Sequence, residues 1–467
     1  MSEILRIEIP THLAAERRYV IAVLFDDFLG IETQVVENPR AAETTITCGD
    51  GGLLILTEGF FATKRAEWLT PGSIPTRTDV VPVRDQVPLD PWHPGSVVTL
   101  GRPPSVRPGL VELDDAGGRV SLDVLGTAFF MLTRYEEVAR QRTDSHGRFP
   151  FTSAVTAGHV LRPIVDEQVE VLWACLRHVW PALSRRSRSF AAFATHDVDH
   201  AFAYVSCTVT GLARLAGRQL LRDKSAIGAT RTARDWLTVR QGDVRADPFN
   251  TYDEIMSACE EAGAECAFYF IPDPQRGGRD PRHIYRPEDR PVGDILRRIV
   301  SRGHEIGVHP SYGSHLNPGQ LRAELARLQS ALNTLGISQQ VRGGRQHYLR
   351  WSAADSWRLW AEAGLLYDST VGFAEHIGFR AGVCRSYATF DLVHRRPLTL
   401  RERPLLVMDR TLGQYMGLDL GGGEALHLVT ELKRTTRSYA GEFVTLWHNS
   451  TLVEPHQREL YRAVLAA

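Results

Sequence analysis

Two rhythms of apolar and polar positions run along this chain. Before residue 110 the apolar residues come in short runs, and Tyr19–Phe25 and Leu53–Thr57 predict strands. From Pro71 to Pro108 proline recurs often enough to predict an extended, irregular passage, because proline fixes φ and lacks a donor. Helical spacing follows in two places. Gly126–Arg140 places Phe129, Leu132 and Tyr135 on one face, and Val165–Val179 does the same with Val169, Leu172 and Trp173. Asp144–Pro150 between them reads as a turn. The polar, arginine-rich Ser184–Ser189 marks a boundary, which divides the chain into an α+β region, 1–185, and a second domain, 186–467.

Beyond that boundary strands and helices alternate. Phe190–Thr195, Cys266–Ile271, Glu305–Val308, Leu405–Met408 and Phe443–Trp447 are short buried-strand candidates. Thr251 and Glu254 have capping-box spacing before a helix that Gly263 closes. Asn317 and Pro318 stand at N-cap and N1 of a helix with the stripe Leu321, Leu325, Leu328 and Leu332, ended by Gly336. Another helix is expected over Ala353–Ala363. Such alternation predicts a parallel α/β arrangement, barrel or open sheet, with its chemistry at the C-terminal ends of the strands. The segment between His200 and Pro248 interrupts it as a basic, helical insert.

Composition narrows the classes. With 43% apolar and 23% charged residues the chain is globular, and at roughly 100–200 residues per domain its 467 residues suggest two to four domains. Lys and Arg number 54 against 55 Asp and Glu, so the overall balance does not point to a nucleic-acid binder. The insert is the exception: Arg214, Arg218, Arg222, Lys224, Arg231, Arg234, Arg240 and Arg245 outnumber Asp223, Asp235 and Asp243. It reads either as a solvated excursion or as a contact with something anionic, a membrane surface or a phosphorylated substrate. Cys48, Cys175, Cys207, Cys259, Cys266 and Cys384 are scattered without a CxxC pair and are expected as reduced thiols. The start MSEILRIEIP has neither the basic start nor the apolar run of a secretory signal, so a cytoplasmic location is expected.

The candidate chemistry lies where the apolar runs stop. Asp197 and Asp199, flanked by His196 and His200, end the first strand of the second domain. Two carboxylates so close resist joint ionisation unless a cation or donors relieve them, so one of them holding a metal and the other acting as a base is one resolution. Capping of the following helix is the other. His304 and His309 bracket a strand and, five apart, point to opposite faces, which makes His309 the better site candidate. Arg345 and His347 in RGGRQHYLRW, Asp368 in YDST and His448 after Trp447 complete an ordered set of polar groups at element ends.

The segments ATHDVDH (Ala194–His200), GHEIGVH (Gly303–His309), RQHY (Arg345–Tyr348), YDST (Tyr367–Thr370) and LWH (Leu446–His448), in that order, resemble the motifs of NodB-type polysaccharide deacetylases, carbohydrate esterase family 4. Residues 1–185 resemble an N-terminal domain of unknown function that accompanies one branch of these enzymes. The resemblance implies a distorted (β/α) barrel, usually with Zn²⁺. It implies Asp197 as catalytic base, Arg345 orienting it, Asp368 supporting the site, His448 as general acid, and Asp199 and His309 as metal ligands. His347, Tyr348 and Trp447, in the same segments, are assigned to substrate contact. Where the family has a second ligand histidine, four residues after the first, this chain has Gly313. His315 is the candidate third ligand, on a loop through Pro310–Ser314, and His200 a second substitute. A two-ligand shell and a metal-free site stay open. The expected activity is removal of N-acetyl groups from an amino sugar in an intracellular saccharide precursor. The alternatives are hydrolysis of a non-sugar amide, with or without metal, and a silent binding barrel.

Overall fold

The computed structural model describes residues 4–49, 51–101, 109–114, 116–221, 224–272 and 285–466. Arg222 and Asp223 of the insert, and residues 102–108 of the proline-rich passage, lie outside the described residues. Two compact units emerge, and both are discontinuous in sequence. Residues 1–191, 349–406 and 432–443 form the first, and 192–348, 407–431 and 444–467 the second.

In the first unit, six strands form a mixed sheet in the order Thr33–Asn38, Leu5–Pro10, Thr44–Cys48, Gly51–Leu56, Gly117–Val120, Val111–Asp114. The strand expected at Tyr19–Phe25 is helical: an α-helix over Ala14–Ile21 runs on into a π-helix over Ala22–Leu29. Tyr19, Val20, Ile21, Val23, Leu24 and Phe25 are all buried, and a continuous apolar run has no period to tell a buried helix from a buried strand. The single helix expected over Gly126–Arg140 is two, Val124–Leu132 and Tyr135–Arg140. Arg134 breaks it in the left-handed region, φ 53°, where its guanidinium pairs with Glu136 and Glu137 in full burial. The proline-rich passage is more regular than expected, since Thr78–Pro82 and Ser96–Leu100 pair antiparallel. Residues 349–406 add a helix, Ser356–Glu362, and an antiparallel pair, Tyr387–Asp391 with Arg396–Glu402.

The second unit is built on a parallel sheet. Its strands in chain order are β1 (Ala191–Val198), β2 (Glu265–Phe270), β3 (Glu305–Val308), β4 (Gly343–Gly344), β5 (Val407–Met408) and β6 (Glu442–Leu446). Their order across the sheet is β4-β3-β2-β1-β6-β5. The β1–β2, β2–β3, β3–β4 and β5–β6 ladders are all parallel. Buried on both faces, these strands are nearly continuous apolar runs, as parallel strands covered by helices must be. Close approach decides β4: a Cβ on Gly344 would stand 1.8 Å from the Val308 carbonyl oxygen, so only glycine fits.

Around the sheet lie α1 (Val209–Leu221) and α2 (Ala226–Arg240) of the insert, α3 (Tyr252–Glu261), α4 (Arg290–Ser301), α5 (Pro318–Thr334) and α6 (Pro455–Ala466). Asn317 caps α5 through its side chain, which accepts from Gln320 N–H, as its sequence predicts. The capping box expected at α3 does not form. Thr251 Oγ1 donates 3.0 Å to the Asn449 carbonyl instead, tying α3 to the loop after β6. All six cysteines are buried, and none is in a disulfide. Among the described residues no helix is long and apolar enough to cross a membrane.

Candidate metal and hydrolytic site

Parallel strands end together, and here each of five ends in a polar residue. Asp197 lies within the last turn of β1 and Asp199 follows it; His309 follows β3, Arg345 follows β4, Asp409 follows β5, and His448 comes two residues after Leu446 of β6. The C-terminal edge of a parallel sheet is where open valences for chemistry collect.

Three of the resulting ligand atoms converge. Asp199 Oδ1 is 3.3 Å from His309 Nε2 and 3.4 Å from His347 Nε2, and the three groups together form the metal-capable cluster among the described residues. Asp199 Oδ1 is buried, and no hydrogen bond of normal geometry reaches it. His309 Nδ1 faces the Arg345 carbonyl at 2.6 Å, so Nδ1 carries the proton and donates. Its Nε2 lone pair is thereby aimed at a carboxylate oxygen. A tetrahedron of ~2.0–2.1 Å bonds has edges of about 3.3–3.4 Å, the separations Asp199 Oδ1 has from His309 Nε2 and from His347 Nε2. The donor set therefore fits a divalent cation of the zinc type.

This corrects the expected third ligand. His315 is not in the cluster; His347, expected at the substrate, takes that place. The reason is how the two loops are held. Pro310–Ser314 is pinned by Gln346, whose Nε2 donates to the Pro310 and Ser311 carbonyls and to Ser314 Oγ, and by buried Glu324, which accepts from Ser311 N–H at 2.8 Å. Tyr312–Ser314 winds into a 3₁₀ turn that delivers His315, itself buried, toward the start of α5. His347, by contrast, sits three residues beyond Gly344, and its backbone N–H donates 3.3 Å to Pro310. Tyr348 after it is left-handed, φ 62°, which is a strained conformation for a tyrosine and common at functional turns. Its ring meets His347 edge-on at 4.7 Å and remains 38% exposed.

Two hydrogen-bonded pairs flank the cluster. Arg345, fully buried, donates 2.9 Å to Asp197 Oδ1, while Asp197 Oδ2 lies 3.7 Å from His309 Nε2. On the other side His448 Nδ1 donates to Asp409 Oδ1 at 2.9 Å, and His448 Nε2 lies 3.7 Å from Asp199 Oδ2. Asp409 also accepts from the His448 backbone N–H and the Thr451 hydroxyl. Asp409 escaped the sequence reading. Its signal is the one used for Asp197, a carboxylate directly after a buried apolar run, Leu405–Met408. Arg410, beside it, brings a half-exposed guanidinium to 3.9 Å from Asp199 Oδ2.

The charges reinforce one another. Burial disfavours the Asp199 carboxylate, yet His347, His309 and His448 outweigh it and hold the group well below the usual carboxylate range. Burial likewise opposes charge on His309, but Asp197 and Asp199 push its pKa up. His448 is buried too, and Asp409 raises it; burial acts against Asp409, which His448 nevertheless holds down. Asp409 thus favours the protonated form of His448, whose Nε2 faces the cluster.

Of the remaining expected residues, Trp447 and Asp368 are both buried. Trp447 is buried in the core against Tyr461, the residue that also bonds His196 Nε2, because neighbours on a strand point to opposite faces. Asp368 belongs to the first unit, where it accepts from the Thr370 N–H at 3.0 Å. His304 bonds Glu260 at 3.0 Å on the flank of α3.

A family of unknown function (DUF7033) matches residues 5–181, all in the first unit. No curated protein matches the chain significantly. Similar solved structures include a protein described as a polysaccharide deacetylase from Mycobacterium smegmatis, 18% identical, with a TM-score of 0.38 over 60% of this chain and 84% of that one. Another described so, from Pseudomonas aeruginosa, is 12% identical with a TM-score of 0.37 over 60% and 84%. Puue allantoinase is 12% identical, with a TM-score of 0.36 over 59% and 82%. At scores this low the chemistry has to be read from the side chains of this chain.

Proposed function

We propose that this protein is a metal-dependent hydrolase of an N-acyl bond, acting on an N-acetylated amino sugar, with the second unit as a NodB-type barrel. The observation that carries the reading is one constellation: the Asp199–His309–His347 triad, with the Asp197–Arg345 and His448–Asp409 pairs beside it.

Asp199, His309 and His347 would hold the cation. When bound, it polarises an amide carbonyl and acidifies a water. Asp197 accepts the proton of the attacking water. The Arg345 guanidinium on its other oxygen fixes the direction in which the carboxylate points. His309 is held by the Arg345 carbonyl in the tautomer that frees Nε2. His448, protonated at both nitrogens because Asp409 stands behind Nδ1, delivers its Nε2 proton to the departing amine nitrogen. Without that proton the leaving group would be an amide anion, so a positioned acid is worth ~10²–10⁴ in rate. The turn at Tyr348 is assigned the backbone donor for the developing oxyanion, and its exposed ring the contact with a sugar face.

The test combines metal and product. Protein purified without chelator is expected to contain a divalent metal and to release acetate from N-acetylated saccharides, including nucleotide- and lipid-linked ones. A metal-free protein whose activity and melting temperature ignore added zinc would overturn the reading. Metal without acetate release across that panel would remove the substrate class.

A further inference from the structure

We infer that the helical pair α1–α2 is a docking element for an anionic lipid surface. Residues 209–240 hold six of the 16 exposed large apolar or aromatic side chains among the described residues: Val209, Leu215, Leu220, Leu221, Ile227 and Leu237. Two of them have almost no cover. Leu221 is 85% and Ile227 84% exposed, and they flank the turn between the helices. An aliphatic side chain left in water at the end of a hairpin gains nothing from folding, whereas its insertion below a headgroup layer removes that area from water.

Charge selects the kind of surface. The same 32 residues carry seven basic and two acidic side chains in a chain whose overall balance is −1. The basic and apolar groups share faces. On α1 the exposed positions Arg214, Arg218 and Leu221 are spaced four and three apart; on α2 Ile227, Arg231, Arg234 and Leu237 follow at four, three and three. Each set is one stripe of a helix. Asp235, the acidic member in the described part, is largely covered and paired with both Arg231 and Arg234. Basic side chains interleaved with inserting leucines match the boundary of an anionic bilayer, where phosphates meet the guanidinium groups and the aliphatic tips pass between headgroups.

The hairpin is anchored for this use. At its base Tyr204, Cys207 and Val239 form a small core joined by Trp236, whose Nε1–H donates 3.0 Å to the Cys207 carbonyl. Asp247 locks the entry by accepting from the Ala203 and Tyr204 N–H groups at 2.9 and 2.7 Å. Among the described residues the tip shows no such core. A fixed base with an uncovered, basic and apolar end presents the tip outward.

Sedimentation of the full chain with vesicles tests the inference independently of any hydrolytic activity. The protein is expected to pellet with phosphatidylcholine–phosphatidylglycerol vesicles and to stay in the supernatant with phosphatidylcholine alone. Binding should drop at ~1 M salt, where the screening length shrinks to about 3 Å. L221E/I227E changes only exposed positions and should cut partitioning more than about tenfold at unchanged melting temperature. V80E/V393E, exposed apolar sites elsewhere, should leave it intact. No binding to the anionic vesicles, or binding that survives L221E/I227E, would overturn the inference. So would a stable dimer in equilibrium sedimentation that the same double variant dissociates, since a second copy would then cover the tip.

Discussion

His347 Nε2 lies 3.4 Å from Asp199 Oδ1, nearly the distance at which His309 Nε2 approaches the same oxygen. The two histidines come from ends of neighbouring strands, β3 and β4, and reach one carboxylate. His347→Ala is therefore expected to lose most bound metal, while His315→Ala keeps it. Metal content by mass spectrometry after dialysis decides. Equal retention in both variants would remove His347 from the shell.

Asp197 is assigned proton transfer rather than metal binding. Asp197→Asn should abolish acetate release while metal content and melting temperature stay near those of the parent, because Asp199, His309 and His347 are untouched. A fully active variant would exclude Asp197 as the base.

Behind His448 stands Asp409, and the pair predicts a pH signature. As the acid, His448 works while protonated, so the rate falls as pH rises through its pKa. Asp409 raises that pKa against the effect of burial. Asp409→Asn should therefore shift the alkaline limb of the pH–rate profile to lower pH, and His448→Ala should lower kcat by ~10²–10⁴ with a smaller effect on KM. An unmoved alkaline limb in Asp409→Asn would show that another group sets it.

His196 predicts a pH dependence of stability. It is fully buried, stacked on Phe268 at 4.7 Å, with Nδ1 donating to the Ala267 carbonyl and Nε2 accepting from the Tyr461 hydroxyl. Burial depresses its pKa from 6.5 to about 3. A depressed histidine contributes its stability in full above the ordinary value and loses it as pH falls toward the folded one. Thermal melts between pH 7 and pH 4 should fall more steeply for the parent than for His196→Gln. Parallel slopes would show that His196 does not contribute to acid instability.

Much of the site was legible because a buried parallel strand is a short apolar run that must stop, and the residue at the stop faces the open edge of the sheet. Asp197, Asp199, His309 and His448 stand at such stops, whereas Arg345 follows two glycines with no apolar run before them. Asp409 stands at one too, but a single carboxylate after Leu405–Met408 looks like any strand end until His448 is beside it. Period-2 alternation separates Trp447 from His448 and would have placed it in the core. The helix at Tyr19–Phe25 gave a weak signal, since its exposed stripe, Arg18, Ala22 and Asp26, crosses the apolar run only at Ala22, which is not polar.

By itself, then, the sequence determined the alternating α/β order, the strand ends that carry chemistry, the Asn317 cap and the basic insert, all of which depend on residues near one another in the chain. Tertiary structure alone decided that His347 and not His315 joins Asp199 and His309, that Asp409 holds His448, and that Thr251 bonds Asn449 rather than closing a capping box. Each of those outcomes is a choice among chemically equivalent partners. The choice turns on ångström distances between chain segments far apart in sequence, which local pattern does not encode.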